Sequence, residues 1–301
     1  MENLLISSES VSFRWINCQC FEIRIPNGKT IITDPCYDYR KNPDVPLADL
    51  FRLEGFKTED LEGCDYVILN HTHGDHISNL GEVIERFAPK IICHSGVAAE
   101  IAEVYENMEL TSIYPVDYDG TYYFDGFKME TFHGEHKPQR FTWKRTMAEG
   151  DIISQDPRLT RLHALGGLFN MNYLLTFDNG FRMAFVGGTN DGMDERLRRL
   201  RPNIALRNKI ANDMDSEKVA REWYSFMEQS YAQFVVPMHF EVWENQNPGF
   251  SEETFSRANE IAAESGLNCR ILAPKRTRWY TARMNISCRG MRQKTERGID
   301  L

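Results

Sequence analysis

The stretch DYVILNHTHGDH (residues 65–76) decides the fold, because it joins a short apolar run to a dense group of polar side chains. The apolar part, residues 65–69, has the length and composition of a buried strand. The polar part holds three of the chain's eight histidines and one carboxylate: His71, His73, Asp75 and His76. Their two-residue spacing, interrupted by Gly74, favours a loop over one face of a helix. Imidazoles and carboxylates bind zinc, iron and manganese, so the stretch predicts a metal site after a buried strand.

Strand-like and helix-like segments alternate on both sides of this stretch, which predicts an α/β chain. Alternating or continuous apolar runs predict strands at 10–16, 20–25, 30–33, 90–93, 121–132, 171–177, 181–188, 233–238 and, last, 269–273. Helical spacing predicts helices at 78–88, 96–108, 215–232 and 251–266, the last with Ser251 as its N-cap and Gly266 as its stop. Turn residues at Asn27-Gly28, Asp125-Gly126 and Asp178-Asn179-Gly180 predict three hairpins.

The order of these segments predicts one domain of two similar halves, about residues 1–136 and 169–280. Residues 137–168 join the halves without a clean period, and such long connections often act as lids or binding loops. Basic and aromatic side chains in this connection could hold an anionic substrate against an apolar wall: Lys137, Arg140, Phe141, Trp143, Lys144 and Arg145. The alternative is a solvated loop or a contact between subunits.

Composition limits the function classes that remain. The 301-residue chain is 42% apolar and 26% charged, with a net charge of −9, which is typical of a globular protein and argues against a general nucleic-acid binder. No apolar run is long enough to cross a bilayer, and the N-terminal residues show no signal peptide. Seven scattered cysteines favour reduced thiols over a disulfide framework, so we expect a cytoplasmic protein with no membrane partner. Cys18 and Cys20 form a C-x-C pair, which is a weak metal pattern without a second pair.

The H-x-H-x-D-H pattern at residues 71–76, after an apolar strand, resembles the signature of the metallo-β-lactamase superfamily. Asp34 in TIITDP (30–35) and His239 in VVPMHF (235–240) match two further positions of that pattern. The resemblance covers about residues 11–275, and it is strongest to the branch that contains the ascorbate-6-phosphate lactonase and related metal-dependent hydrolases. It implies an αββα four-layer sandwich with the metal site along one edge, between the two sheets. It also implies that the protein could be oligomeric, as members of this branch often are.

The resemblance also implies roles for individual residues. His71 and His73 would bind a first metal ion with a third histidine from TFHGEH (131–136), for which His136 and His133 are both candidates. Asp75, His76 and His239 would bind a second ion, while Asp34 would hold the loop by accepting hydrogen bonds. Zinc is the expected ion, in one or two copies, with manganese or iron as alternatives.

One position departs from the superfamily pattern. Where the family has Gly-Asp-Thr after a strand, this chain has Gly187-Gly188-Thr189, so the aspartate that bridges two ions is replaced by Gly188. Asp191 is a candidate replacement, and the alternative is a turn residue in a polar loop. Three alternatives follow: two ions with Asp191 as the bridge, one ion, or a centre that has lost hydrolysis.

The predicted chemistry is hydrolysis by a water molecule whose pKa the ion lowers. Asp75 would bind metal or accept a proton from that water, and His239 would bind metal or stabilise an oxyanion. The expected substrate is a small, anionic ester, lactone, amide or phosphoester. One alternative is a phosphodiesterase or nuclease of the same superfamily. The other is a degenerate metal-binding or redox member, because the usual bridging aspartate is Gly188.

Overall fold

Two sheets of seven strands form the centre of the protein in the computed structural model, which describes residues 10–38, 53–136, 156–188, 194–209 and 214–283. The strands of the first sheet are β1 (Ser10–Asn17), β2 (Cys20–Arg24), β3 (Thr30–Thr33), β4 (Tyr66–Ile68), β5 (Lys90–His94), β6 (Ile113–Val116) and β14 (Trp279–Arg283). Those of the second sheet are β7 (Thr121–Phe124), β8 (Phe127–His133), β9 (Met171–Phe177), β10 (Arg182–Val186), β11 (Ile204–Asn208), β12 (Phe234–Met238) and β13 (Arg270–Ile271). Their orders are β14-β1-β2-β3-β4-β5-β6 and β13-β12-β11-β10-β9-β8-β7.

Helices connect the strands and cover the sheets. They are α1 (Gly74–Ile77), α2 (Leu80–Phe87), α3 (Ser95–Val104), α4 (Pro157–Leu165), α5 (Asp194–Leu200), α6 (Ser216–Ser230), α7 (Glu241–Gln246) and α8 (Phe250–Glu264). None of the helices in the described ranges has the length and apolar character needed to cross a bilayer.

Alternation along the strands explains the layers, because successive side chains of a strand point to opposite faces. In β3, Ile31 packs in the large core that both sheets share, whereas Ile32 packs in a second core with residues of α2 and α3. In β4, Ile68 packs in the large core and Val67 packs in the second core. Trp223 of α6 belongs to the large core, so helices cover the second sheet as well. The αββα sandwich predicted for this chain is therefore confirmed.

Parallel pairing brings the polar loops to one edge. Strands β3 to β6 run parallel to one another, as do β10 to β13. The carboxyl ends of parallel strands lie at the same edge of a sheet. Asp34 follows β3, His71 follows β4 and His239 follows β12, so residues distant in sequence meet at this edge.

Most predicted elements are confirmed, including the three hairpins, which form the antiparallel pairs β2–β3, β7–β8 and β9–β10. Several details are wrong. Asp75 and His76 lie on the one-turn helix α1 rather than in a loop. The final strand is β14, which pairs with β1, so the chain returns to the first sheet after residue 273. Helix α8 begins at Phe250 after Gly249, so Ser251 is not its N-cap.

The connection expected to lack regular structure, 137–168, contains helix α4. Asp156 caps this helix by accepting a hydrogen bond from the Arg158 N–H (2.9 Å), and Pro157 occupies its first turn. An aspartate followed by proline is a typical helix start, so the sequence did carry this information. The basic and aromatic residues between 137 and 145 lie outside the described residues.

Candidate metal centre

Three histidines converge at the edge of the first sheet. The ring centroids of His71 and His73 are 4.7 Å apart. The ring centroid of His136 lies 5.2 Å from that of His71 and 4.6 Å from that of His73. One ring nitrogen of each residue lies within 4.8 Å of one from each of the others, a separation at which all three could bind one ion. The structure thus places His136 in this group, which we call the first group.

Hydrogen bonding fixes the tautomer of His71. Its Nδ1–H donates to the Asn70 side-chain oxygen, at 2.9 Å, which leaves Nε2 with a free lone pair. Nε2 is buried and has no hydrogen-bond partner among the residues that the structure describes. A buried imidazole nitrogen without a partner costs free energy unless a ligand satisfies it. This unpartnered nitrogen, facing two more imidazoles, fits a transition-metal ion.

The rings of His71 and His73 are neutral. Burial lowers the pKa of His71 well below its usual value, and the neighbouring imidazoles of His76 and His73 lower it further. Burial has the same effect on the pKa of His73, with His136 as the next contributor. Neutral imidazoles are the form that binds metal, so these rings need not lose a proton first.

Asp75, His76 and His239 form a second group, whose ligand atoms also lie within 4.8 Å of one another. The Nε2–H of His239 donates to Asp75 Oδ2 at 3.2 Å, and its Nδ1–H donates to Glu241 Oε1 at 3.1 Å. Burial alone would lower the pKa of His239, but Glu241 and Asp75 raise it to about 10. In turn, burial would raise the pKa of Asp75, but the His76 and His239 rings bring it well below its usual range. The second group therefore contains an ion pair of its own.

Asp34 connects the two groups through hydrogen bonds. It is fully buried, and it accepts hydrogen bonds from the Asn70 backbone N–H at 2.7 Å and from the His76 Nδ1–H at 2.8 Å. Burial raises its pKa, and the contact with His76 opposes that shift. Asp34 and His239 both have positive φ angles, 36° and 60°, which non-glycine residues adopt only when the surroundings hold them. Both lie directly after a strand, where this turn of the backbone directs the side chain into the centre.

The other candidates are not part of these groups. His133 is exposed at the end of β8, and its ring lies 4.9 Å from that of Tyr118, away from the first group. Asp191 lies outside the described residues. At Gly188, an added Cβ would lie 3.0 Å from the backbone N and O of Glu135, so the main chain closely approaches the place of the missing side chain.

Sequence reasoning missed three residues of the centre. Asn70 orients His71, and Glu241 orients His239 from two positions further along the chain. Metal-binding histidines usually have such a partner, so a polar residue close to each histidine in sequence is the signal that indicates these positions. The third is His163 of α4, buried near the first group, which was missed because its helix was not predicted.

The chain is similar to a known family and to proteins named as hydrolases. A family model described as "Beta-lactamase superfamily domain" matches residues 29–240. A metal-dependent hydrolase of Cupriavidus metallidurans is 23% identical over 236 residues, which cover 75% of this chain and 72% of that protein.

Two solved structures share the fold. An isothiocyanate hydrolase from Delia radicum gut bacteria superposes with a TM-score of 0.60 and 18% identity, over 92% of this chain and 99% of that chain. CmlA, a diiron β-hydroxylase of Streptomyces venezuelae, superposes with a TM-score of 0.56 and 12% identity, over 92% of this chain and 54% of that chain. Since the family match spans more than half of the sequence, the chain belongs to the metallo-β-lactamase superfamily and stands among its metal-dependent hydrolases.

Proposed function

We propose that the protein hydrolyses a small, anionic ester, lactone, amide or phosphoester. The observation that carries this proposal is the first group: three imidazoles, of which His71 and His73 are neutral, meet at one point beside the ionised carboxylate of Asp75. The name of the Cupriavidus relative, a metal-dependent hydrolase, supports the reaction class. A protein of the same fold is named an isothiocyanate hydrolase, and this name supports the proposal of a small substrate.

In this proposal His71, His73 and His136 hold the first metal ion, and Asp75, His76 and His239 hold a second. Zinc is the proposed ion because imidazole and carboxylate ligands suit it, with manganese or iron as alternatives. A divalent ion bound here would lower the pKa of water and polarise a carbonyl or phosphoryl oxygen.

Asp75 is the proposed proton acceptor. Its side chain is 22% exposed, so one face of the carboxylate is accessible from the solvent side while the other accepts the hydrogen bond from His239. Its lowered pKa keeps it ionised at neutral pH, so it can orient a water molecule by accepting a hydrogen bond. Because the contact with His239 contributes to the low pKa, Asp75 would accept the proton of that water only after His239 no longer donates to it. Both N–H groups of His239 donate to carboxylates, so its Nε2–H would have to leave Asp75 before it could donate to a developing oxyanion, and it would have to be lost before Nε2 could bind metal.

The proposal of an anionic substrate rests on sequence alone. Four basic residues lie between 137 and 145, in the connection that leads from His136 towards α4. Charged side chains of this kind bind carboxylate or phosphate groups. A cytoplasmic location is proposed on the cysteines: the six in the described ranges are buried free thiols.

Metal analysis combined with a substrate panel tests the proposed function. Elemental analysis of the purified protein should find at least one equivalent of zinc, manganese or iron. The panel should include a lactone, a carboxylic ester, an amide, a phosphomonoester and bis-p-nitrophenyl phosphate, with the metal-stripped protein as control. Turnover that is lost on stripping and restored by metal supports the proposal. A protein that binds no metal contradicts it, and preference for the phosphodiester would favour the phosphodiesterase alternative.

A further inference from the structure

His163 is a buried histidine that the proposed reaction has not yet used. It lies on α4, is only 4% exposed, and neither of its ring nitrogens has a hydrogen-bond partner among the described residues. Whichever tautomer the ring adopts, one nitrogen is a donor and the other an acceptor. Two unsatisfied polar atoms in a buried side chain are costly, so the position needs an explanation.

Helix α4 is seated directly on the loop that carries the first group. The hydroxyl of Thr72 donates a hydrogen bond to the Leu162 carbonyl at 2.6 Å. At Gly166, an added Cβ would lie 2.5 Å from the backbone nitrogen of His73, so helix and loop are in close contact there. Residues three apart share a helix face, which places His163 on the same face as Gly166, towards His73.

Apolar side chains of α4 already attach the helix to the second core. Leu162 is fully buried in the second core, and Leu159 and Leu165 pack against that core. The helix therefore does not need an imidazole at position 163 for its attachment, and an apolar side chain would fill the site at lower cost.

Electrostatics also places His163 beside the centre. Burial lowers its pKa to about 4, and the carboxylate of Asp75 acts against that shift. The ring of His163 is likewise among the groups that lower the pKa of His73. Yet His163 belongs to none of the groups of described residues that could hold an ion. It thus faces the centre without the geometry of a metal ligand.

We propose that His163 is a further catalytic residue, whose ring N–H donates a hydrogen bond to the substrate oxygen that gains negative charge during hydrolysis. This inference rests on the proposed function. A neutral donor held in a buried site suits this role, since it stabilises the developing charge without reorganisation. The bound substrate would also satisfy a ring nitrogen that is otherwise unpartnered.

The test compares His163→Leu and His163→Gln with His133→Leu, a matched histidine variant at an exposed position outside both groups. In the metal-loaded protein, His163→Leu should keep the wild-type metal content, raise the melting temperature by ~2–4 °C, and lower kcat about 10²–10³-fold with little change in KM. His163→Gln retains an N–H donor and should recover about tenfold of the lost kcat. His133→Leu should match the wild type in metal content and kcat.

Three outcomes overturn the inference. Loss of metal from both His163 variants would make the residue a ligand or a support of the ligands. A lower melting temperature with unchanged kcat would make it a packing residue. Equal kcat values for the Leu and Gln variants would exclude the N–H donor. Failure of the proposed function looks different, because the wild-type protein itself would then lack metal.

If His163→Leu does not fold, ring ¹⁵N spectra of the labelled wild type decide the question. Inorganic phosphate added to the zinc-loaded protein should shift the His163 signal, assigned by its absence from His163→Gln. An unchanged His163 signal, while phosphate shifts signals of the first group, overturns the inference.

Discussion

Both groups of the centre contain histidines, but in different protonation states. In the first group His71, His73 and His136 are near one another, and burial holds the rings of His71 and His73 neutral, with the Nε2 of His71 unpartnered. In the second group His239 is a cation between two carboxylates, Asp75 and Glu241. The first group therefore has a buried nitrogen available to bind an ion, whereas the charges of the second group are paired with one another.

This difference has a consequence for metal binding. An ion entering the first group replaces no hydrogen bond of His71 Nε2 and displaces no proton from it. An ion that uses His239 in the second group must displace a proton whose pKa is about 10 and must break the hydrogen bond to Asp75. The replacement of the bridging aspartate by Gly188 removes a negative charge that would help to offset this cost. We therefore expect the first group to bind metal more tightly.

The largest expected effect follows from breaking the first group. His71→Ala should lose one metal equivalent and lower the rate of hydrolysis about 10³-fold, because a bound ion stabilises the transition state by several kcal/mol. His239→Ala should retain the first equivalent. Elemental analysis and steady-state kinetics measure both effects, with circular dichroism to verify folding. If His239→Ala loses metal as completely as His71→Ala, the comparison is wrong and the two groups bind as one unit.

A second, smaller effect concerns the charge of His239. Its pKa is raised from about 6.5 in the unfolded chain to about 10 in the folded one. The stabilisation that this shift supplies is complete below about pH 6.5 and is lost as the pH rises to about 10. In EDTA-treated protein, the free energy of unfolding should therefore fall by on the order of 2 kcal/mol more in the wild type than in His239→Gln over this range.

Urea unfolding at several pH values measures this difference. Both proteins contain the same tyrosines, lysines and cysteines, so titration of those groups cancels in the comparison. Parallel curves for the two proteins between pH 6.5 and 10 would show that His239 is not a cation in the metal-free centre.

The sequence predicted the centre better than its surroundings. H-x-H-x-D-H, Asp34 and His239 lie next to apolar strands, so their positions follow from strand ends alone. His136 could not be separated from His133, since His133 ends β8, His136 comes three residues later, and only the path of the chain after that strand decides which ring turns inward. Asn70 and Glu241 are polar neighbours of ligands, and which of many such neighbours forms a hydrogen bond depends on tertiary contacts. Strand β14 was missed because its place is set by pairing with β1, more than 260 residues away.

The smallest expected effect concerns Gly188, the position where the family pattern has an aspartate that bridges two ions. Gly188 is fixed on both sides: its N–H donates to Asn172 at 3.0 Å, and its carbonyl accepts from Arg207 at 2.7 Å. The segment facing it is also held, because the Gly134 N–H donates to the Asn170 carbonyl at 2.9 Å. An added Cβ would lie 3.0 Å from Glu135 and 3.1 Å from Gly134, so this segment must shift by a few tenths of an ångström.

Gly188→Ala should therefore weaken metal binding at the first group about tenfold, because His136 lies two residues from Gly134 and a small displacement of one ligand is costly. Zinc titration against a chelating dye measures this, and the second equivalent should bind as in the wild type. Unchanged affinity for the first equivalent would mean that His136 is held independently of residues 134 and 135. In that case the replacement of aspartate by glycine at 188 affects only the charge between the two groups, and not the shape of the first.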